Sequence, residues 1–135
     1  MTYARVQQFY AAQMRLLDDG KAEEWAATFT EDGEFGQDRR PAPRRGRLDI
    51  GAGLRRAADA LAERGAVRRH WLGMLTVDER PDGTLHTRYY ALVIETPRGG
   101  VAALHLSTAV DDVLVRHGDS YLVRSRYVVH DGHTA

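Results

Sequence analysis

The chain has 135 residues, enough for one domain with a substantial core, and its 19 basic residues balance its 19 acidic ones. A formal charge of zero argues against nucleic acid as the main partner, because phosphate binding requires a positive excess on some face; it also favours self-association, so we expect a homodimer. The absence of cysteine excludes disulfides, thiolate nucleophiles and cysteine-ligated metal centres.

The N-terminal residues lack the charged start and apolar run of a signal peptide. No apolar stretch of the sequence is long enough to cross a bilayer. We therefore expect a cytoplasmic protein with no membrane partner.

The first half of the chain shows the periodicity of helices. Apolar residues recur at helical spacing in three segments, at about residues 3–17, 22–29 and 50–64. The second of these helices is expected to present Trp25 and Phe29 inward. The polar segment 37–47 carries two prolines, so we predict a loop there with a short strand at its end.

The second half of the chain has the composition of strands. Four β-rich runs at residues 67–77, 85–96, 101–115 and 121–129 are separated by three hairpin-type turns. Helices followed by such a meander predict a single α+β domain. Strands of this length twist and curve, so the mostly antiparallel sheet is expected to wrap around the helices as a half-open cone.

Asp18 and His70 are the main candidates for catalysis. Asp18 ends the first predicted helix and His70 opens the apolar run 70–75, and both segments are expected to line one core. A carboxylate that accepts from one imidazole nitrogen leaves the other free as a general base, and imidazole titrates near neutral pH. A buried His-Asp pair can also serve only to satisfy two polar groups and order the core.

Four large side chains, Trp25, Phe29, Trp71 and Met74, either line a pocket for a flat aromatic substrate or belong to the core. His105 shares one face of its predicted strand with Ser107. It is a second pocket imidazole if that face is concave, and a solvated surface residue if the face is convex.

The segment Arg39–Arg47 holds five arginines in nine residues. It either docks an acidic acyl carrier protein, binds a carboxylated substrate, or forms a solvated mobile loop. The C-terminal pair His130 and His133 has no spacing that favours a metal site. Dinucleotide fingerprints, phosphate loops and serine-hydrolase elbows are all missing, so no metal and no cofactor are expected.

Several blocks of the sequence resemble SnoaL-like proteins of the nuclear transport factor two-like superfamily. Residues 17–20, 25–29 and 31–35 are similar to the opening of that family, and residues 69–73 are similar to its Arg-His step into the sheet. Residues 112–116 and 121–126 resemble its last two strands. The resemblance covers nearly the whole chain and implies a cone-shaped, cystatin-like α+β barrel.

The resemblance also implies a site. In dehydratase-like members a helix-end acid and a sheet histidine form a catalytic dyad, and the matching positions here are Asp18 and His70. A pocket tyrosine precedes the acid in scytalone dehydratase. Leu17 occupies that position here, and Tyr89 or Tyr90 is the candidate to replace it from the sheet.

Two functions follow from these observations. The first is a cofactor-free cyclase or dehydratase that acts by proton transfer on an apolar or aromatic, polyketide-type intermediate of secondary metabolism. The second is a non-catalytic module of the same fold, such as the β subunit of a ring-hydroxylating dioxygenase or a ligand carrier.

Overall fold

The computed structural model describes residues 1–134, in which three helices and six strands form the α+β domain. The helices are α1 (Thr2–Asp18), α2 (Ala22–Ala26) and α3 (Gly46–Glu63). The strands are β1 (Phe29–Gln37), β2 (Arg44–Arg45), β3 (Ala66–Glu79), β4 (Leu85–Pro97), β5 (Ala103–His117) and β6 (Ser120–His130). In the described residues, no helix is long and apolar enough to span a membrane.

The six strands form one open sheet in the order β2-β1-β6-β5-β4-β3. All neighbours are antiparallel except β1 and β6, which are parallel. The core lies between α1, α2 and the inner face of the sheet, where alternate strand residues point. The predicted class, the N-terminal helices and the curved, mostly antiparallel sheet are confirmed.

Strand β1 was not predicted. The sequence suggested that the second helix continues to Phe29, because Trp25 and Phe29 are four residues apart, but α2 ends at Ala26. The backbone N–H of Val123 donates to the carbonyl of Thr28 at 2.8 Å, and β1 then pairs with β6. The long-range pairing with a distant strand therefore overrides the local helical spacing.

A buried polar network joins helices and sheet. The guanidinium of Arg126 on β6 donates to both carboxylate oxygens of Asp112 on β5, each at 3.0 Å, and these side chains are 3% and 0% exposed. The hydroxyls of Tyr10 and Tyr89 donate to the same carboxylate at 2.6 and 3.0 Å. Arg126 also donates to Gln13 of α1 at 2.6 Å. The network therefore ties α1 to three adjacent strands.

We expect Asp112→Asn to lower the free energy of unfolding by about 3–5 kcal/mol, because it leaves the Arg126 charge buried without a counter-ion. The matched control is Asp111→Asn on the same strand, since Asp111 pairs with Arg88 and both of these side chains are exposed. This control is expected to match wild type in urea denaturation. Equal effects of the two substitutions would contradict the assignment.

Candidate active site

The inner face of the sheet and the helices line a partly open cavity of about 280 Å³. We call it the interior cavity. Its wall is mainly apolar and includes Met14, Leu17, Trp25, Leu54, Val93 and Val110. Polar side chains also reach it, and two of them are imidazoles, His70 and His130. An apolar space with a few convergent polar groups is typical of a small-molecule site.

Asp18 and His70 are in direct contact at this cavity. The ring Nδ1 of His70 lies 2.6 Å from Oδ1 of Asp18, and the backbone N–H of His70 donates to the same oxygen at 3.0 Å. The two side chains are 21% and 10% exposed, with His70 the more exposed of the two. The predicted contact between the acid at the end of the first helix and the imidazole on the sheet is therefore present.

The end of α1 fixes the position of the acid. The chain leaves the helix through Gly20, which has φ +68°. A Cβ at Gly20 would lie only 3.1 Å from the Cβ of Ala58 on α3, so both the backbone conformation and the close helix contact favour glycine. Asp18 is thus held at the junction of α1, α3 and the sheet.

The hydrogen bonds define the chemistry of the His70 ring. A carboxylate can only accept, so Nδ1 of His70 carries the proton that is donated to Asp18. The neutral ring therefore has its lone pair on Nε2, which makes no hydrogen bond to any residue from 1 to 134. Asp18 also stabilises the positive charge that forms when Nε2 takes a proton. The pair can act as a general base towards a molecule in the interior cavity.

The structure corrects the placement of Trp71, Met74 and Tyr90, which were predicted to bind substrate in the pocket. All three lie on the outer face of the sheet and are 65%, 76% and 60% exposed, respectively. Trp71 follows the inward-facing His70, and Tyr90 follows the inward-facing Tyr89. A bulge between Gly73 and Thr76, with Met74 at φ +55°, turns Met74 outward as well.

Two further predicted pocket residues also lie elsewhere. Phe29 is fully buried in the core and does not line the interior cavity, although it packs edge-on against Trp25, which does. His105 is exposed on β5, where its Nε2 lies 3.2 Å from a guanidinium nitrogen of Arg68. Of the alternatives for His105, the structure shows the surface position. Trp25, in contrast, lines the interior cavity as predicted.

Tyr89 lines the interior cavity, but its hydroxyl is engaged. Burial raises the pKa of Tyr89 and of Tyr10 well above the ordinary value, and the nearby Asp112 carboxylate raises both further. Both phenols are therefore neutral donors to Asp112. They stabilise the buried carboxylate rather than replace the tyrosine that is absent at Leu17.

The arginine-rich segment is ordered in part, because Arg44 and Arg45 form β2 against β1. Arg44 pairs with Asp49 at 3.2 Å, and the Nε–H of Arg47 donates to the carbonyl of Phe29 at 2.8 Å. Arg40 and Arg44 also line the interior cavity. The segment therefore contributes positive charge to the cavity wall.

Sequence reasoning missed a second His-Asp pair, which His130 and Asp38 form at the same cavity. The predicted last strand stopped one residue short of His130, and Asp38 lies just beyond the missed strand β1. Alternation of Arg126, Val128 and His130 on β6 was the available signal for His130. No sequence pattern indicated Asp38 as its partner.

Residues 2–127 match the SnoaL-like domain family. The chain belongs to the SnoaL-like family. The structure of Aln2 from a Streptomyces species is 38% identical with a TM-score of 0.89, over 96% of this chain and 91% of that one. ActVI-ORFA from Streptomyces coelicolor is 35% identical with a TM-score of 0.89, over 99% and 98% of the two chains.

A third similar structure, of a protein from Catenulispora acidiphila, was solved in complex with S-DNPA. It is 41% identical with a TM-score of 0.82, over 96% of this chain and 93% of that one. A dioxygenase β subunit at 18% identity shares only the fold. No curated protein matches the sequence. The family membership confirms the resemblance drawn from the sequence blocks.

The fluorescence of the two tryptophans of this SnoaL-like domain tests the positions that the structure gives them. Trp25 is buried, and its Nε1 has no hydrogen-bond partner among the described residues, whereas Trp71 is exposed. In Trp71→Phe only the buried Trp25 emits, so we expect blue-shifted fluorescence that iodide quenches weakly. In Trp25→Phe only the exposed Trp71 emits, so we expect red-shifted fluorescence that iodide quenches strongly. Similar emission and quenching in the two variants would show that the tryptophans are misplaced.

Proposed function

We propose that this SnoaL-like domain is a cofactor-free cyclase or dehydratase that acts on a polyketide-type intermediate. The observation that carries the proposal is the Asp18–His70 contact at the wall of an apolar cavity, which leaves the Nε2 lone pair of His70 without a partner in residues 1–134. Cyclisation and dehydration of polycarbonyl compounds share one step, the removal of a proton next to a carbonyl. An imidazole whose orientation is fixed by a carboxylate is suited to that step.

The proton transfer is as follows. Nε2 of His70 takes a proton from the carbon next to the substrate carbonyl, and the electron pair of the broken C–H bond forms the enolate. The imidazolium is stabilised by the carboxylate of Asp18, at 2.6 Å from Nδ1. In a dehydration the enolate expels a β-hydroxyl group, which leaves as water after it gains a proton. In a cyclisation the enolate carbon attacks a second carbonyl, whose oxygen gains the proton.

The cavity indicates the class of substrate. Its volume of about 280 Å³ and its apolar wall suit a flat molecule of two or three fused rings. Arg40 and Arg44 at the wall suit a substrate that carries a carboxylate. The binding of S-DNPA by a relative that is 41% identical supports a small-molecule ligand for this chain as well.

We expect His70→Asn and Asp18→Asn to slow turnover about 100- to 10,000-fold, the usual contribution of a positioned acid or base. The probe is a naphthyl β-hydroxyketone, whose dehydration to the conjugated enone is followed by absorbance. His117→Asn is the matched control, because His117 is an exposed histidine at the far end of β5. It is expected to retain the wild-type rate.

Both site variants should keep the wild-type circular dichroism spectrum, so that a loss of rate reports chemistry. Wild-type turnover in either variant would contradict the assignment of the pair. Tight binding of the probe by the wild type with no turnover at all would instead favour a ligand carrier.

Arg40 offers a test of the charge of the substrate. Arg40 lines the cavity and its guanidinium forms no hydrogen bond or ion pair within residues 1–134, whereas the neighbouring Arg39 is exposed. We expect Arg40→Gln to raise KM about five- to tenfold for a carboxylate-bearing probe and to leave KM for its methyl ester unchanged. Arg39→Gln should change neither value. An equal rise for acid and ester would exclude a carboxylate contact.

A further inference from the structure

The pair formed by His130 and Asp38 resembles the pair formed by His70 and Asp18, although the two hydrogen bonds go to separate oxygens of Asp38 and to one oxygen of Asp18. The ring Nδ1 of His130 lies 2.7 Å from Oδ1 of Asp38, and the backbone N–H of His130 donates to Oδ2 at 2.9 Å. In each pair one carboxylate accepts from the backbone and from the ring of one histidine. Each ring thereby has a fixed orientation and Nδ1 as its protonated nitrogen.

The Asp38 carboxylate is suited to hold a charged ring. Partial burial opposes its ionisation, but the hydrogen bonds from the ring and the backbone of His130 outweigh that effect and lower the pKa of Asp38 below its ordinary value. Asp38 therefore accepts as an anion. The His130 side chain is only 8% exposed, and its Nε2 makes no hydrogen bond to the part of the chain that the structure describes.

The strand register places the two rings on opposite walls of the interior cavity. His70 on β3 is opposite Val93, which is opposite Leu106. His130 on β6 is opposite Thr108, which is opposite Ala91. The backbones of the two histidines are thus three strand spacings apart across the sheet and two residues apart along the strands, about 16 Å in all. The curvature of the sheet shortens the straight line between them.

The surface between the two rings is the floor of the cavity. It consists of Ala91, Val93, Leu106 and Thr108, all of which line the interior cavity. The hydroxyl of Thr108 donates to the carbonyl of Ala91 at 2.8 Å, so it is already satisfied. A flat molecule that lies on this floor is between the two imidazoles.

We propose that His130, oriented by Asp38, is a second catalytic imidazole that protonates the departing oxygen while His70 removes the carbon proton. The inference rests on the proposed function and names the proton donor that this function requires. The C–H electron pair becomes the new double bond, the C–O bond breaks, and the hydroxyl leaves as water with the proton from Nε2 of His130. His70 ends protonated and His130 neutral, and exchange with solvent restores both.

Two imidazoles remove a constraint that a single imidazole imposes. One ring that both removes and returns a proton must have the carbon and the oxygen within reach of the same Nε2. Rings on opposite walls approach the carbon and the departing oxygen from two directions, and the carboxylate behind each ring stabilises the protonated form that its step uses or produces.

The test uses substitutions to asparagine, because its side-chain N–H takes the place of the Nδ1–H of histidine while Nε2 is removed. His130→Asn and His70→Asn therefore keep a donor to Asp38 and to Asp18, respectively. His133→Asn is the matched control for the C-terminal segment, because His133 is exposed. The probe is the naphthyl β-hydroxyketone in deuterium oxide, followed by NMR for elimination and for deuterium uptake next to the carbonyl.

We expect His130→Asn to lose elimination at least ~100-fold and still to catalyse deuterium uptake, because His70 continues to form the enolate. His70→Asn should lose both activities, and His133→Asn should lose neither. Elimination by His130→Asn at the wild-type rate would overturn this inference alone. Loss of both activities in a folded His130→Asn would overturn the assignment of His130 as the oxygen donor. If the wild type shows neither elimination nor deuterium uptake, both the proposed function and this inference are overturned.

The role of His130 can also be tested in the wild-type protein, so this test does not depend on the folding of a variant. Binding of the naphthyl probe should shift the Nε2 signals of both His70 and His130 in nitrogen NMR spectra and leave the signals of His117 unchanged. An unchanged His130 signal under saturating probe would overturn the inference.

Discussion

The buried ion pair between Arg126 and Asp112 is the interaction on which the interior cavity depends. It joins β5 to β6 beside the cavity, and through Tyr10 and Gln13 it fixes α1 against the sheet. A buried charge pair is stable only when its remaining donors and acceptors are satisfied, and the two tyrosine hydroxyls and Gln13 supply these contacts. Helix α1 therefore has one position on the sheet, and Asp18 at its end has one position relative to β3.

The functional groups of the cavity follow from that arrangement. The end of α1 brings a carboxylate to His70 on one wall, and the turn after β1 brings another to His130 on the opposite wall. Each carboxylate fixes a tautomer and leaves an Nε2 facing an apolar space. The scaffold thus supplies acid/base groups whose separation is set by three strand spacings of the sheet. Substrate specificity then depends on the cavity wall, to which the arginine-rich segment contributes charge.

Much of the fold could be predicted from the sequence, because helical and strand periodicities and the turn glycines are local signals. The pair of Asp18 and His70 was predicted from the positions of the two residues in core-lining segments, and the resemblance to SnoaL-like proteins supported it. Strand β1 was missed because its parallel partner β6 lies far along the chain, and Asp38 was missed for the same reason, since 92 residues separate it from His130. The bulge at Met74 cannot be read from alternation, so Met74 was assigned to the pocket. Trp71 and Tyr90 were also assigned to the pocket, although alternation with His70 and Tyr89 places them on the outer face.

The central claim is that substrate binds in the interior cavity, against the imidazole of His70. The most direct measurement is the set of intermolecular nuclear Overhauser effects between a bound naphthyl ketone and assigned protons of the protein. The account predicts contacts from the probe to the His70 ring and to the methyl groups of Ala91 and Leu54, which line the interior cavity. Contacts confined to Trp71 and Tyr90, on the outer face of the sheet, would contradict it.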